Sequence, residues 1–202
     1  MRAMNQKPAL ELLRRILTEL VAHPENLRIE YRALTASLTI MIQADTGDTP
    51  RLIGEQAQNY RALCAIMAAV GAAAGYRVAI PPIQEPVIGA PSRYRFEPNP
   101  DWPKERILKL LRDVAEAVFA HSGGMECMEF DDPANGITTV EVHVSRLENP
   151  KVVDVLRPAI GRMFDAIGKA NGHLLAVDII QSADPGQPDS ADGRFTKQLK
   201  RQ

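Results

Sequence analysis

Few side chains in this chain are spaced for covalent chemistry. His121-Ser122 stands before Gly123-Gly124, and Glu141 lies two residues before His143, so each pair holds an acid–base candidate. Glu141, His143 and Ser145, however, alternate with Val140, Val142 and Val144, as the solvated face of a strand does. The sequence contains no nucleophile elbow, P-loop, dinucleotide fingerprint or HExxH motif. Catalysis is therefore not expected, and no cofactor is called for. Cys64 and Cys127 are the only cysteines, each within an apolar pattern, and read as reduced, buried thiols. Two cysteines that far apart supply too few ligands for a metal site.

Non-covalent recognition of an anion is better represented. Arg93-Tyr94-Arg95-Phe96 alternates guanidinium groups with rings on which unpaired bases can stack, or whose rings pack against a domain. The tail carries a basic stretch, Arg194-Phe195-Thr196-Lys197-Gln198-Leu199-Lys200-Arg201. The net charge is only −1, which argues against strong nonspecific binding to nucleic acid. Its distribution is uneven, with nine basic against seven acidic residues over 1–80 and nine against twelve over 103–181. If either half touches RNA, the first is favoured.

The elements that position these groups follow from periodicity. Leu10, Leu13, Ile16, Leu17, Leu20 and Val21 form a helical stripe that stops at His23-Pro24, where His23 reads as a capping or turn residue. Leu27, Ile29 and Tyr31 alternate with Arg28, Glu30 and Arg32, and Leu38, Ile40 and Ile42 with Ser37, Thr39 and Met41, predicting two strands with one buried face each. Asp48 or Thr49 is placed to cap a short helix with Pro50 at its first position. That helix runs into Gly54, and a second helix follows at once, with Tyr60, Leu63, Cys64, Met67 and Val70 inward. A strand closes the set over residues 76–80.

Residues 84–102 read as a proline-rich linker, because 81–103 holds seven of the fifteen prolines. After it the grammar repeats as a helix from Ile107 to Phe119, strands over 125–130 and 137–144 joined by an Asn135-Gly136 turn, helices over 150–156 and 158–171, and a strand over 173–180. Met67-x-x-Val70-Gly71-x-x-x-Gly75 matches Phe164-x-x-Ile167-Gly168-x-x-x-Gly172 at a spacing of 97 residues, with Gly75 and Gly172 as helix-ending positions of positive φ. The expected fold class is α+β, a tandem duplication of an αββααβ unit, each a three-stranded sheet covered by helices. Its parts are 1–83, a linker 84–102, a second unit 103–181 and a disordered tail 182–202 rich in polar residues.

The order α, β, β, α, loop, α, β over residues 8–82, with Ile53-Gly54-Glu55-Gln56-Ala57 between the two helices, resembles the bacterial type II KH fold, in particular the small single-KH RNA-binding proteins of bacteria. Their corresponding stretch is an Ile-Gly-x-x-Gly loop. The resemblance implies single-stranded RNA of about four nucleotides held along a groove beside that loop, backbone N–H groups meeting the phosphates. Carried onto this chain, it implies contacts from Arg51, Gly54, Glu55, Gln56, Ala57, Asn59, Arg61 and Arg77. Glu55 places a negative charge where a phosphate would lie, and Ala57 stands where the family has its second glycine. If that position takes φ > 0, its Cβ costs on the order of 1 kcal/mol. Binding through the loop is therefore expected to be weak. In the second unit Lys151-Val152-Val153-Asp154 stands in the loop's place without a glycine. Two classes of function remain, an RNA-binding protein and a non-catalytic scaffold that binds a protein partner or self-associates. No apolar run is long enough to span a membrane, and residues 1–8 lack the apolar core of a signal peptide, so a cytoplasmic location is expected.

Overall fold

The computed structural model describes residues 6–34, 36–83, 103–119, 124–145 and 151–181. The linker 84–102 with Arg93-Tyr94-Arg95-Phe96, the His121-Ser122 pair and the tail 182–202 lie outside the described residues. The described residues form an α+β structure with two three-stranded mixed sheets. The first half runs α1 (Lys7–Leu20), β1 (Arg28–Leu34), β2 (Ser37–Gln43), α2 (Thr49–Ile53), α3 (Gln58–Ala73) and β3 (Arg77–Ala79). The second runs α4 (Lys104–Val118), β4 (Met125–Asp132), β5 (Ile137–Val144), α5 (Lys151–Ala170) and β6 (Leu174–Gln181). Both sheets keep chain order, with the first two strands antiparallel and the last two parallel.

The periodicities place the core. Leu13, Ile16, Leu17 and Leu20 bury one side of α1, and in β5 Thr138, Val140, Val142 and Val144 are buried while Glu141 and His143 sit on the half-exposed opposite face. A parallel pair needs a crossover to return the chain to the same end of the sheet. Here α2 and α3 provide it between β2 and β3, and α5 between β5 and β6.

Each crossover ends in the same way. Gly75 and Gly172 take φ of 80° and 76°, as the spacing predicts. One turn earlier Gly71 and Gly168 let the helix lie against the strand that follows. A Cβ on Gly71 would stand 2.8 Å from the Tyr76 carbonyl oxygen, and one on Gly168 would stand 2.7 Å from that of His173. The Tyr76 and His173 N–H groups donate to the Gly71 and Gly168 carbonyls at 2.9 and 2.8 Å.

The second half differs from expectation in its long helix. Two helices were expected over 150–171, yet α5 is continuous through Pro158. A proline inside a helix removes one N–H and frees the carbonyl four residues earlier. That carbonyl belongs to Asp154, and both Asp154 and Pro158 are exposed, so water can take the vacant bond. The chain therefore passes helically through the stretch where the first half makes its Gly54 loop.

The helices of the two halves pack together between the sheets. α3 lies on α5, α1 lies on α4, α1 also meets α5, and α4 meets α3, so one apolar core runs through both halves. Polar groups cross the same seam. Arg15 pairs with Asp113, and Arg106 Nε donates to the buried Glu19 at 2.7 Å. Buried Asn171 donates from Nδ2 to the Glu19 carbonyl at 3.0 Å and to that of Ile167 at 2.8 Å.

Candidate nucleic-acid interface

Between α2 and α3 the backbone turns through three residues of positive φ. Gly54 has φ 72° and ψ 170°, Gln56 has φ 50°, and Ala57 has φ 60°. The Gly54 N–H donates to the Pro50 carbonyl at 2.8 Å and ends α2, and the Ala57 N–H donates to the Gly54 carbonyl at 3.1 Å. Ala57 thus holds a left-handed conformation with a Cβ, at a cost of about 1–2 kcal/mol.

Asn59 fills the hollow of this turn. Its Nδ2 donates to the Arg51 carbonyl at 2.7 Å, one of the carbonyls that the end of α2 leaves open. A Cβ on Gly54 would stand 2.6 Å from Asn59 Cγ. Glycine is therefore required at 54 both by its φ and by this side chain.

Asp48 was expected, with Thr49, as a helix cap, and its role is different. It occupies the capping position of α2 without a side-chain bond to that helix. Its buried carboxylate instead accepts the backbone N–H groups of Ala22 at 2.8 Å and His23 at 2.9 Å, tying the end of α1 to the start of α2. Thr49 turns its hydroxyl back to the Asp45 carbonyl. Arg51 Nη1 lies 3.8 Å from Asp48 Oδ1. Burial lowers the Arg51 pKa and Asp48 opposes that shift, leaving an arginine that is charged at any working pH.

Arg51 points along the protein more than out of it. With Asn59 and Leu20 it lines a groove of about 260 Å³ whose other wall is Ala166, Lys169 and Ala170 of α5. Glu55, Gln56 and Arg61 are exposed around the turn, and Gly54 and Ala57 are half-buried. Tyr60 Oη donates to the Ile80 carbonyl at 2.7 Å, so the far end of β3 adjoins the start of α3. Arg77 is at the opposite end, beside Gly71, which places it about 20 Å along α3 from the turn. Pairing with Ser37 also puts it on the sheet face away from the helices. The fold brings together Arg51, Gly54 and Asn59, surrounds them with Glu55, Gln56, Ala57 and Arg61, and leaves Arg77 apart.

No protein-family model matches the chain, and no curated protein matches it. What the site can do is therefore read from its own geometry.

Sequence reasoning missed two participants, Asp48 as an anchor and Lys169 from the other half. The first is disguised because an acidic residue before Thr49-Pro50 has the look of a cap. The second has no local signal, since helix-to-helix packing across the chain brings it there.

The remaining reactive groups stand apart from this site. Glu141 Oε2 and His143 Nε2 are 3.1 Å apart on the outer face of β5. Among the described residues no group of three or more His, Cys, Asp or Glu is arranged to hold a metal. Cys64 and Cys127 are free and half-buried, and burial pushes both thiols up. No helix among the described residues is long and apolar enough to cross a membrane.

Proposed function

We propose that this is a non-catalytic protein of two KH-like units, 1–83 and 103–181 joined by 84–102, that holds short single-stranded RNA weakly at the first unit. The observation that carries this reading is the turn at residues 54–57, set between two helices in an αββααβ order. Gln56 turns left-handed directly after Glu55, and a change of hand of this kind sets successive backbone N–H groups into one anion-binding concavity. Among the described residues no acceptor takes the Glu55 or Gln56 N–H. The start of α3 adds the positive end of a helix dipole. Glu55 opposes a phosphate there, and Arg51, held near Asp48, contributes little reach; both point to weak affinity.

The test is a gain of function. Glu55→Lys combined with Ala57→Gly removes the repulsive charge and the Cβ, and should strengthen binding of a fluorescent single-stranded RNA by about tenfold, equivalent to about 1.4 kcal/mol. Unchanged binding would remove the turn from the interface. Arg51→Glu is the poorer probe, because a new carboxylate beside buried Asp48 would destabilise the fold.

A second reading, a scaffold that holds a protein partner, is favoured by the exposed Glu55 at the turn and the inward Arg51. Under it the double substitution leaves RNA binding undetectable.

A further inference from the structure

Among the described residues both sheets turn one face to the helices and leave the other uncovered, and the two uncovered faces differ in chemistry. The strand pairings give their composition. On the first sheet Arg28 pairs with Gln43, Glu30 with Met41, Arg32 with Thr39, and Arg77 with Ser37, all facing away from the helices. Arg28, Arg32 and Arg77 are exposed, and none forms an ion pair with a described residue. Met41 is 43% exposed, so nothing among the described residues covers this face.

The second sheet is an internal control. Laying the parallel pair Ser37–Arg77 on Ile137–Leu174 matches the strands position by position. Arg28 then falls on Glu126, Arg32 on Phe130, Arg77 on Leu174 and Met41 on Glu141. The same open position in the same sheet topology is filled without arginine, so packing does not demand arginine there. Arg28 and Arg32 flank Glu30 on β1, and Arg77 stands two strands over beside Ser37. An extended polyanion would meet this spread of three guanidinium groups without an ion pair among the described residues. Arg28 and Arg32 lie four residues apart on one strand, about 13 Å.

We infer that the open face of β1, β2 and β3 is a contact surface for the phosphates of single-stranded nucleic acid, separate from the turn at Gly54. The inference rests on the RNA-binding reading and extends it to a second surface. The outward positions of these strands hold no aromatic ring, so the face grips the backbone and does not stack bases. Binding there is independent of sequence and sensitive to salt.

The experiment is a fluorescence-anisotropy titration of the full chain with labelled oligouridylate and oligoadenylate across a range of salt. Three phosphate contacts on a single strand give a slope of log K against log salt near about −2, so affinity falls roughly 20-fold between about 50 and 200 mM salt. Arg28→Gln, Arg32→Gln and Arg77→Gln should each flatten that slope by about 0.7, and Arg→Lys at the same positions should keep it. These residues are exposed, and the single variants serve if the triple variant unfolds by circular dichroism. The expected result is equal binding of the two RNAs, with a slope that flattens stepwise. If the glutamine variants bind as the parent does while Glu55→Lys with Ala57→Gly still strengthens binding, the face is overturned and the turn stands. Absence of RNA binding at every salt concentration overturns both. Salt-sensitive self-association lost in the glutamine variants, without RNA binding, overturns the inference and assigns the face to the Glu126 and Glu141 face of the second sheet in another copy.

Discussion

Replacing glycine by alanine in a helix ordinarily gains about 1 kcal/mol, because alanine loses less backbone freedom on folding. Gly71, Gly161 and Gly168 all lie in helices that face a returning strand, but only two of them approach it too closely to admit a Cβ. At Gly161 a new Cβ meets the Val177 carbonyl oxygen at 3.4 Å, an ordinary contact. Gly161→Ala should therefore stabilise by about 1 kcal/mol. At Gly71 the Cβ falls 2.6 Å from Val78 Cγ2 and 2.8 Å from the Tyr76 oxygen, and at Gly168 it falls 2.7 Å from the His173 oxygen. Relieving such contacts moves a helix relative to its own sheet, an overpacking cost near the upper end of about 1–3 kcal/mol. Set against the propensity gain, Gly71→Ala and Gly168→Ala should each lose about 2 kcal/mol. Urea unfolding followed by circular dichroism reads all three, as midpoints displaced in opposite directions at unchanged slope. Stabilisation at 71 or 168 comparable to that at 161 would refute the close-approach account of these glycines.

Asp48→Ala leaves the Ala22 and His23 N–H groups without their acceptor and should cost about 3 kcal/mol by urea unfolding, with Asp48→Asn losing less because it keeps one acceptor oxygen. Glu19 is pushed above its ordinary 4.5 by burial, against the pull of Arg106. A carboxyl raised on folding contributes stability that is complete below about 4.5 and lost as pH rises through its native value. Glu19→Gln should flatten the dependence of the urea midpoint on pH just above that point, and a dependence identical to the parent's would assign the slope to other groups. Cys64 and Cys127, both raised by burial, should react slowly with iodoacetamide in the native protein and quickly in urea, as mass spectrometry can follow.

Much of the architecture was legible because it is written at short range. The alternation Thr138, Val140, Val142, Val144 carries a half-buried strand on its face, and Gly75 and Gly172 sit where a helix must reverse. The continuous α5 was harder to read, since Pro158 signals a break and only its exposure makes the missing bond tolerable. At the candidate site the glycine at 54 was legible and its reason was not. Its neighbour Asn59 approaches through a hydrogen bond to Arg51, a contact fixed in three dimensions. Arg77 looked close to the turn in an ordered list of elements, but an antiparallel helix and strand carry it to the other end.

The shared helix layer has a consequence during synthesis. Residues 7–83 leave the ribosome well before 103–181, and until then α1 and α3 lack the helices they rest on. At about 5–20 residues per second, the hundred or so residues still to come keep those apolar flanks waiting for about 5–20 s. The nascent chain therefore passes through an interval in which it is most prone to stick to its neighbours or to recruit a chaperone.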